Sequence, residues 1–285
     1  MAKPSFLFIG PSKSGSSWFF EILREHPSVF VPWAKGTFFF NAFHQHGSAW
    51  YERFFAEAAP GQIVGEVCHD YLSDPLALAR IRDYRPEMRI ICCLRCPYER
   101  AISSWRFSER NGESFSTLAE YARRWPGAFD EGYYATHLSN VLANFPHEQV
   151  LIFFFGELAV EPAKVVRRVY EFIGVDENFS PSSMYKLING AAAPRWRMAA
   201  RAVAQLDDYA RRHGMATQVG KLKRIKWLRQ AVRRTLYKNL AGTRDWQAQA
   251  HEFPQHVVER YEREIGELER MCGDDLSKWR LQLDP

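Results

Sequence analysis

The sequence predicts an α/β fold, a mainly parallel sheet flanked by helices, followed by a helical C-terminal extension. Three observations predict it. Short, strongly apolar runs stand at 5–10 (SFLFIG), 62–67, 89–94 (RIICCL) and 150–155 (VLIFFF). Strands buried on both faces read as continuous apolar runs of this kind. Segments with helical patterning lie between them, as crossovers between parallel strands require. After about residue 195 the strand signals stop and only helical patterns remain.

The elements follow in order. The first strand, 5–10, ends in Gly10 and leads into a loop of small residues, 11–17. A helix over 18–25 is stopped before Pro27, because the residue preceding a proline is pushed out of the helical region. Residues 62–67 form a second strand and 75–83 a helix. The strand at 89–94 is followed by Arg95, Cys96 and Pro97, then by a helix over 98–107 with Pro97 at its start. After the strand at 150–155, an amphipathic helix over 162–173 is ended by Gly174. A last helix covers 254–271. The chain shows no internal repeat and no low-complexity linker. At 285 residues and 46% hydrophobic it suits one domain, 1–285, with an α/β core over 1–195 and the helical extension over 196–285.

The formal charge of +5 is unevenly spread. From Tyr209 to Arg244 there are eleven Lys or Arg residues and no Asp or Glu, which leaves the remainder of the chain net acidic. Basic character is therefore local, and binding to nucleic acid is not expected. The five cysteines, Cys68, Cys92, Cys93, Cys96 and Cys272, match no zinc spacing. Cys92 and Cys93 are strand neighbours and point to opposite faces. Reduced, buried thiols favour a reducing compartment. The first apolar run is too short for a signal peptide, and no stretch approaches the length of a membrane span. These features lead to the expectation of a soluble, cytoplasmic protein.

Chemistry concentrates at two places. Gly10-Pro11-Ser12-Lys13-Ser14-Gly15-Ser16-Ser17-Trp18 lies between a strand and a helix. The first backbone N–H groups of such a helix are unpaired, and its dipole adds partial positive charge, so the turn is a ready phosphate site. It is not a Walker A loop, in which Lys follows Gly directly and precedes Ser or Thr. Here Lys13 precedes Gly15. The second place is Arg95 at the end of the 89–94 strand, where open α/β sheets bind ligands, with Ser103 eight residues on in the following helix. A guanidinium and a hydroxyl converging there suit a second phosphate; a surface ion pair with a helix-facing serine is the plainer reading.

Both segments resemble motifs of one family. Pro11 to Trp18 is similar to the 5′-phosphosulfate loop, P-K-S-G-T-T-W, of sulfotransferases that use 3′-phosphoadenosine-5′-phosphosulfate (PAPS). It departs by one inserted residue before Lys13 and by Ser for Thr at Ser16 and Ser17. Arg95, Pro97, Arg100, Ala101 and Ser103 match the family's 3′-phosphate motif, R-x-P-x-x-R-A-x-S. Glu25-His26-Pro27, Lys35 to Phe40, Gly65-Glu66 through Tyr71-Leu72, Gly156-Glu157-Leu158, Phe172-Ile173-Gly174 and Asp275 to Trp279 resemble further family segments, those at 35–40 and 65–72 being closest to bacterial and glycosaminoglycan-type members.

The resemblance implies a P-loop-type fold and transfer of a sulfuryl group from PAPS to a hydroxyl or amine, releasing PAP, with no metal. Lys13, Ser14, Gly15, Ser16, Ser17 and Trp18 would hold the 5′ side, and Arg95 and Ser103 the 3′-phosphate. Lys13 would stabilise charge on the departing phosphate. The acceptor implied is a carbohydrate, a glycolipid or another small molecule. The glutamate base of the K-E-x-x-F-F segment is absent, since Gly36 occupies its place. Cytosolic-type members carry a His before the Arg motif. His69, 26 residues before Arg95, takes a comparable place, as catalytic base or as a structural histidine. Asp70 is the alternative base, with His44 and Glu66 as further candidates. The family's C-terminal cofactor loop is missing. Asn189-Gly190-Ala191-Ala192-Ala193-Pro194-Arg195 stands in its region, and Arg195 is either a phosphate contact or part of a solvated loop. Trp18 and Tyr133 are candidates to stack on adenine.

Within the basic stretch, Leu222, Ile225, Leu228, Val232, Leu236 and Leu240 recur at helical spacing. Such a helix over 221–240 packs on the domain with its charges solvated, or meets an acidic substrate or an anionic membrane surface. A P-loop small-molecule kinase and a non-catalytic nucleotide-binding module are the competing functions.

Overall fold

The computed structural model describes residues 2–186, 192–239 and 246–281. Five parallel strands form the sheet: β1 (Phe6–Gly10), β2 (Val29–Phe30), β3 (Ile63–Val67), β4 (Arg89–Leu94) and β5 (Val150–Phe154). Their order across the sheet is β2-β3-β1-β4-β5, so β1 is central. The chain leaves β1 toward one edge and returns across it to build the other. The carboxyl ends of β1 and β4 therefore flank the point where strand order reverses, the position at which such sheets bind ligands.

Nine longer helices are labelled: α1 (Ser16–Glu25), α2 (Pro75–Tyr84), α3 (Pro97–Arg110), α4 (Tyr134–Asn144), α5 (Pro162–Ile173), α6 (Arg197–Arg212), α7 (Ala216–Leu222), α8 (Lys226–Leu236) and α9 (Gln255–Cys272). Their ends follow local chemistry. Asp74 caps α2 by accepting from the Leu76 and Ala77 amides, with Pro75 in the first turn. Gly174, at φ 81°, ends α5 in the left-handed conformation.

Side-chain alternation divides the sheet's apolar residues between two cores. Phe6 and Phe8 of β1 face one side with α1 and α5, where Phe19, Ile22, Leu23, Val165, Val169 and Ile173 pack. The Tyr170 hydroxyl donates to the Ile22 carbonyl at 2.7 Å and ties these two helices together. Leu7 and Ile9 face the other side, with residues of α2, α3, α4 and α9. Cys92 and Cys93 fall into opposite cores, as adjacent strand residues must. All five cysteines are unpaired.

Four strands and the helices around them lie within a few residues of the expected bounds. Strand β2, at two residues, is too short to carry a period. Two readings of the C-terminal third need correction. Strand structure does not stop at 195: β6 (Ala192–Pro194) pairs antiparallel with β7 (Tyr237–Asn239). The basic stretch is not one helix over 221–240. It is α7 and α8, broken at residues 223–225 and ending where β7 begins. Strand pairing has overridden helical spacing here. Finally, α9 completes the core: Val257, Tyr261, Ile265 and Leu268 are buried among residues of the α/β part. Asn189, Gly190, Ala191, Leu240 and Arg244 lie outside the described residues.

Because Leu268 is fully buried, Leu268→Ala is expected to lower unfolding free energy by about 2–5 kcal/mol in urea titration. A change below the surface-substitution range of about 0.5 kcal/mol would show that α9 is not part of the cooperative unit.

Candidate functional site

The site forms where β1 stops. At Gly10, φ is 118°, and a Cβ there would lie 2.5 Å from the His69 carbonyl oxygen. Only glycine lets the end of β1 pass that close to the backbone following β3. The amides of Tyr71 and Leu72 both donate to the Ile9 carbonyl, at 3.2 and 3.0 Å, which fixes 68–72 beside the loop. At Gly15, φ is 88°, and a Cβ would meet Leu158 Cδ2 at 2.7 Å. Gly15 also precedes α1 without any side-chain cap. The helix's first amides thus start at a small, uncapped residue, the arrangement that suits an anion.

Cations crowd this turn. The Lys13 ammonium sits 3.8 Å from the centre of the Phe107 ring. Its pKa is pushed down to about 7, first by burial, then by the charges of Lys35, Arg110 and Arg95. Lys35 Nζ donates to Ser16 Oγ at 2.9 Å and to Ser17 Oγ at 2.8 Å. Burial, with Arg211 nearby, brings Lys35 down to about 8. Arg211 donates in turn to the Lys35 and Gly36 carbonyls at 3.0 and 2.9 Å.

Arg95 joins the two predicted anion sites. Its Nη1 donates to the Lys13 carbonyl at 3.2 Å, its Nε pairs with Glu99 at 2.9 Å, and its guanidinium lies 4.6 Å from the Phe155 ring centre. The loop after β1 and the start of α3 after β4 therefore form one surface on one edge of the sheet. Ser103 is on the first turns of α3, partly exposed, its hydroxyl without a protein partner among the described residues. Arg100, from the same motif, is fully buried and holds the loop indirectly. It pairs with Glu131 at 3.3 Å and donates to the Ala128 carbonyl, and Glu131 Oε2 accepts from the Ser12 amide at 3.1 Å.

His69 lies edge-on to Phe38, with ring centres 5.6 Å apart. Its Nδ1 is buried without a hydrogen-bond partner among the described residues. Its pKa is driven down to about 3 by burial, then by Lys35, Lys13 and Arg211, so the ring is neutral. Asp70 accepts from Asn41 Nδ2 at 3.1 Å, and its pKa is raised by burial and by the charge of Glu131. Glu66 lies deeper, accepting from the Thr37 amide, the Thr37 hydroxyl and the Tyr51 hydroxyl at 2.6, 2.7 and 2.7 Å. Its oxygens hold the core together. His44 packs against Phe39, 5.3 Å between centres.

Two of the sequence candidates stand apart. Trp18 is buried in the α1–α5 core and donates from Nε1 to the Met184 carbonyl at 2.9 Å. Arg195 is exposed on the β6 segment, its Nε donating to the Tyr237 carbonyl at 3.1 Å. The sequence reading gave no site role to Lys35, Glu131 or Arg211. Lys35 was within reach, as it opens the segment in which Gly36 drew attention. Nothing local marks Glu131, in the turn after residue 130, or Arg211, on α6, which arrive from elsewhere in the chain.

With this geometry in hand, the comparisons are decisive. The family profile described as "Sulfotransferase domain" matches residues 3–190. The chain belongs to the sulfotransferase family. It is 32% identical over 192 residues to heparan sulfate glucosamine 3-O-sulfotransferase 3B1 of Mus musculus, covering 64% of this chain and 49% of that protein. It is 31% identical over 205 residues to the human bifunctional heparan sulfate N-deacetylase/N-sulfotransferase 3, covering 63% of this chain and 23% of that protein. The chain thus matches about half the length of the first of these relatives. In three dimensions it is similar to a sulfotransferase from Alicyclobacillus acidocaldarius, with a TM-score of 0.68 at 20% identity over 98% of this chain and 99% of that one. That likeness establishes the shared fold.

The low Lys13 pKa is directly measurable. Acetylation of Lys13, followed by peptide mass spectrometry, is expected to rise to a plateau just above pH 7 and to outpace exposed lysines such as Lys164. A rate that still climbs toward the ordinary lysine value of 10.5 would contradict the crowded-cation description.

Proposed function

We propose that the protein is a PAPS-dependent sulfotransferase that passes a sulfuryl group to a carbohydrate hydroxyl, releasing PAP. The Arg95 contact with the Lys13 carbonyl, 3.2 Å, carries the proposal, because it sets two anion-binding motifs side by side. A nucleotide phosphorylated at both ends of its ribose matches such a paired site. The family and the kinds of relative it matches support the sulfuryl donor and a sugar acceptor. The lysine is misplaced for a Walker A loop, which disfavours the kinase alternative.

The residues suit the chemistry as follows. Sulfuryl transfer moves negative charge onto the bridging oxygen of the leaving nucleotide. Lys13 meets that charge, and Lys35, through Ser16 and Ser17, supports the same loop. Arg95 and Ser103 take the 3′-phosphate. His69 accepts the acceptor's proton. In the free protein burial, and then neighbouring cations, depress its basicity. A bound polyanionic donor offsets the cations' part of that effect, so proton acceptance is favoured by donor binding. Asp70, whose basicity is already raised, is the second candidate.

Thermal-shift measurement with PAP, ATP–Mg²⁺ and AMP is expected to show selective stabilisation by PAP; stabilisation by ATP–Mg²⁺ instead would point to the kinase reading. Lys13→Ala is expected to lower turnover by about 10²–10³-fold. His69→Gln should lower it by about 10²–10⁴-fold, while Asp70→Asn should do so only if Asp70 is the base. Labelled PAPS with a panel of sugar acceptors reads both.

The pH dependence of PAP affinity has a definite sign. An anion favours charged Lys13. Below pH 7 the lysine is already protonated and affinity is flat; above its free pKa of about 7 each binding event must take up a proton. Affinity should therefore fall as pH rises, by up to about tenfold per unit. Calorimetry in buffers of differing ionisation enthalpy reads the uptake, and zero net uptake above pH 7 would remove Lys13 from the binding site.

A further inference from the structure

Strand β3 carries a carboxylate where alternation calls for an apolar side chain. Val64 and Cys68 face the core beside α2 and α3, and Glu66 between them faces the same way and is 1% exposed. Pairing of Glu66 with Leu7 of the central strand fixes its place. Burial pushes its carboxyl pKa up, the sign of what it costs to hold a charge there. Well-packed apolar residues often serve stability as well as buried charges do, so the carboxylate calls for another explanation.

What it holds is a strained turn. Its Oε1 accepts from the Thr37 amide at 2.6 Å and from the Thr37 hydroxyl at 2.7 Å. The Tyr51 hydroxyl donates to the other oxygen, Oε2, at 2.7 Å, which leaves Oε1 aimed at Thr37. Thr37, itself buried, stands between Gly36 at φ 73° and Phe38 at φ 55°. A phenylalanine in the left-handed region is strained. Such strain persists only where the surroundings over-determine it, and it gathers at functional sites.

The residues on either side of Thr37 reach the site. Lys35 donates to the hydroxyls of Ser16 and Ser17. The Phe38 ring lies edge-on to His69, 5.6 Å between centres, and its centre is 5.4 Å from the Arg211 guanidinium. A Cβ on Gly36 would come within 3.0 Å of the Phe38 ring, so the two left-handed residues pack on each other.

We propose that Glu66 is a positioning residue: through Thr37 it holds the strained turn that sets Lys35 on the donor loop and Phe38 against His69. What the turn serves rests on the sulfotransferase reading above. Glu66 itself touches neither donor nor acceptor.

The test compares Glu66→Leu, Thr37→Val and Glu66→Gln in the full chain. Acetylation of Lys35 against pH, read by peptide mass spectrometry without nucleotide, should have its midpoint at about 8 in the unchanged protein. Burial is the main cause of that low value, so a turn that releases Lys35 from Ser16 and Ser17 moves the midpoint toward 10.5. Glu66→Leu and Thr37→Val are expected to raise it and to lower turnover by about 10- to 100-fold. Glu66→Gln keeps an oxygen for Thr37 and is expected to recover both readings. If Glu66→Leu does not fold, Thr37→Val, which removes a single hydroxyl, decides alone. An unmoved Lys35 midpoint in the folded variants overturns the proposal. So does loss of turnover in Glu66→Gln with the Lys35 midpoint in place, which would make Glu66 the base. Because the acetylation is read without nucleotide, an unchanged protein that binds no PAP counts against the donor assignment and leaves this test standing.

Discussion

Like charges held close together around one turn are the constraint from which the rest of the site follows. Lys13, Lys35, Arg95 and Arg211 are brought from the loop after β1, the segment before β3, the end of β4 and helix α6. Burial and mutual repulsion bring the two lysines down to about 7 and 8. In the free protein that crowding is unfavourable, and it is maintained because the surrounding fold determines each position independently. An anion entering the turn relieves it. A site of this kind is electrostatically prepared for an anion before any arrives.

The fold holds these charges by backbone rather than by mutual contact. Gly10 allows the end of β1 to lie against the His69 carbonyl, and the Ile9 carbonyl receives two amides from 68–72. Position 69 is thus an extension of the central strand pairing, which is why its imidazole stands among the lysines' charges with no Nδ1 partner among the described residues. Arg100 works from beneath. Buried and paired with Glu131, it fixes the carboxylate that holds the Ser12 amide. A buried pair of this kind is weak evidence for stability. Its value here is positional, since it joins the motif after β4 to the loop after β1.

The legible parts of the sequence were those where local chemistry and fold agree. Apolar runs placed β1, β3, β4 and β5, Pro97 marked the start of α3, and Gly174 ended α5 where the chain ends it. Lys13 and Arg95 were legible because loops at strand ends have few other uses for such residues. What escaped was long-range. Two-residue β2 has no period. The β6–β7 pair joins segments more than forty residues apart, and the helical spacing of 222–240 gave no hint that α8 would yield to a strand. Glu131, in a turn, and Arg211, on α6, reach the loop region from far along the chain, and only the tertiary fold brings them there. Trp18 adds a structural part the motif did not suggest. Its place in a binding motif suggested a ligand contact, whereas its indole fills the core and reaches Met184.

Arg211 connects the segment beside the loop after β1 with the C-terminal helix α6. The carbonyls of Lys35 and Gly36 accept from its guanidinium, and Lys35 in turn reaches the hydroxyls of Ser16 and Ser17. Two hydrogen-bonded steps thus link α6 to the hydroxyls of the loop after β1. The same guanidinium contributes to the low basicity of His69.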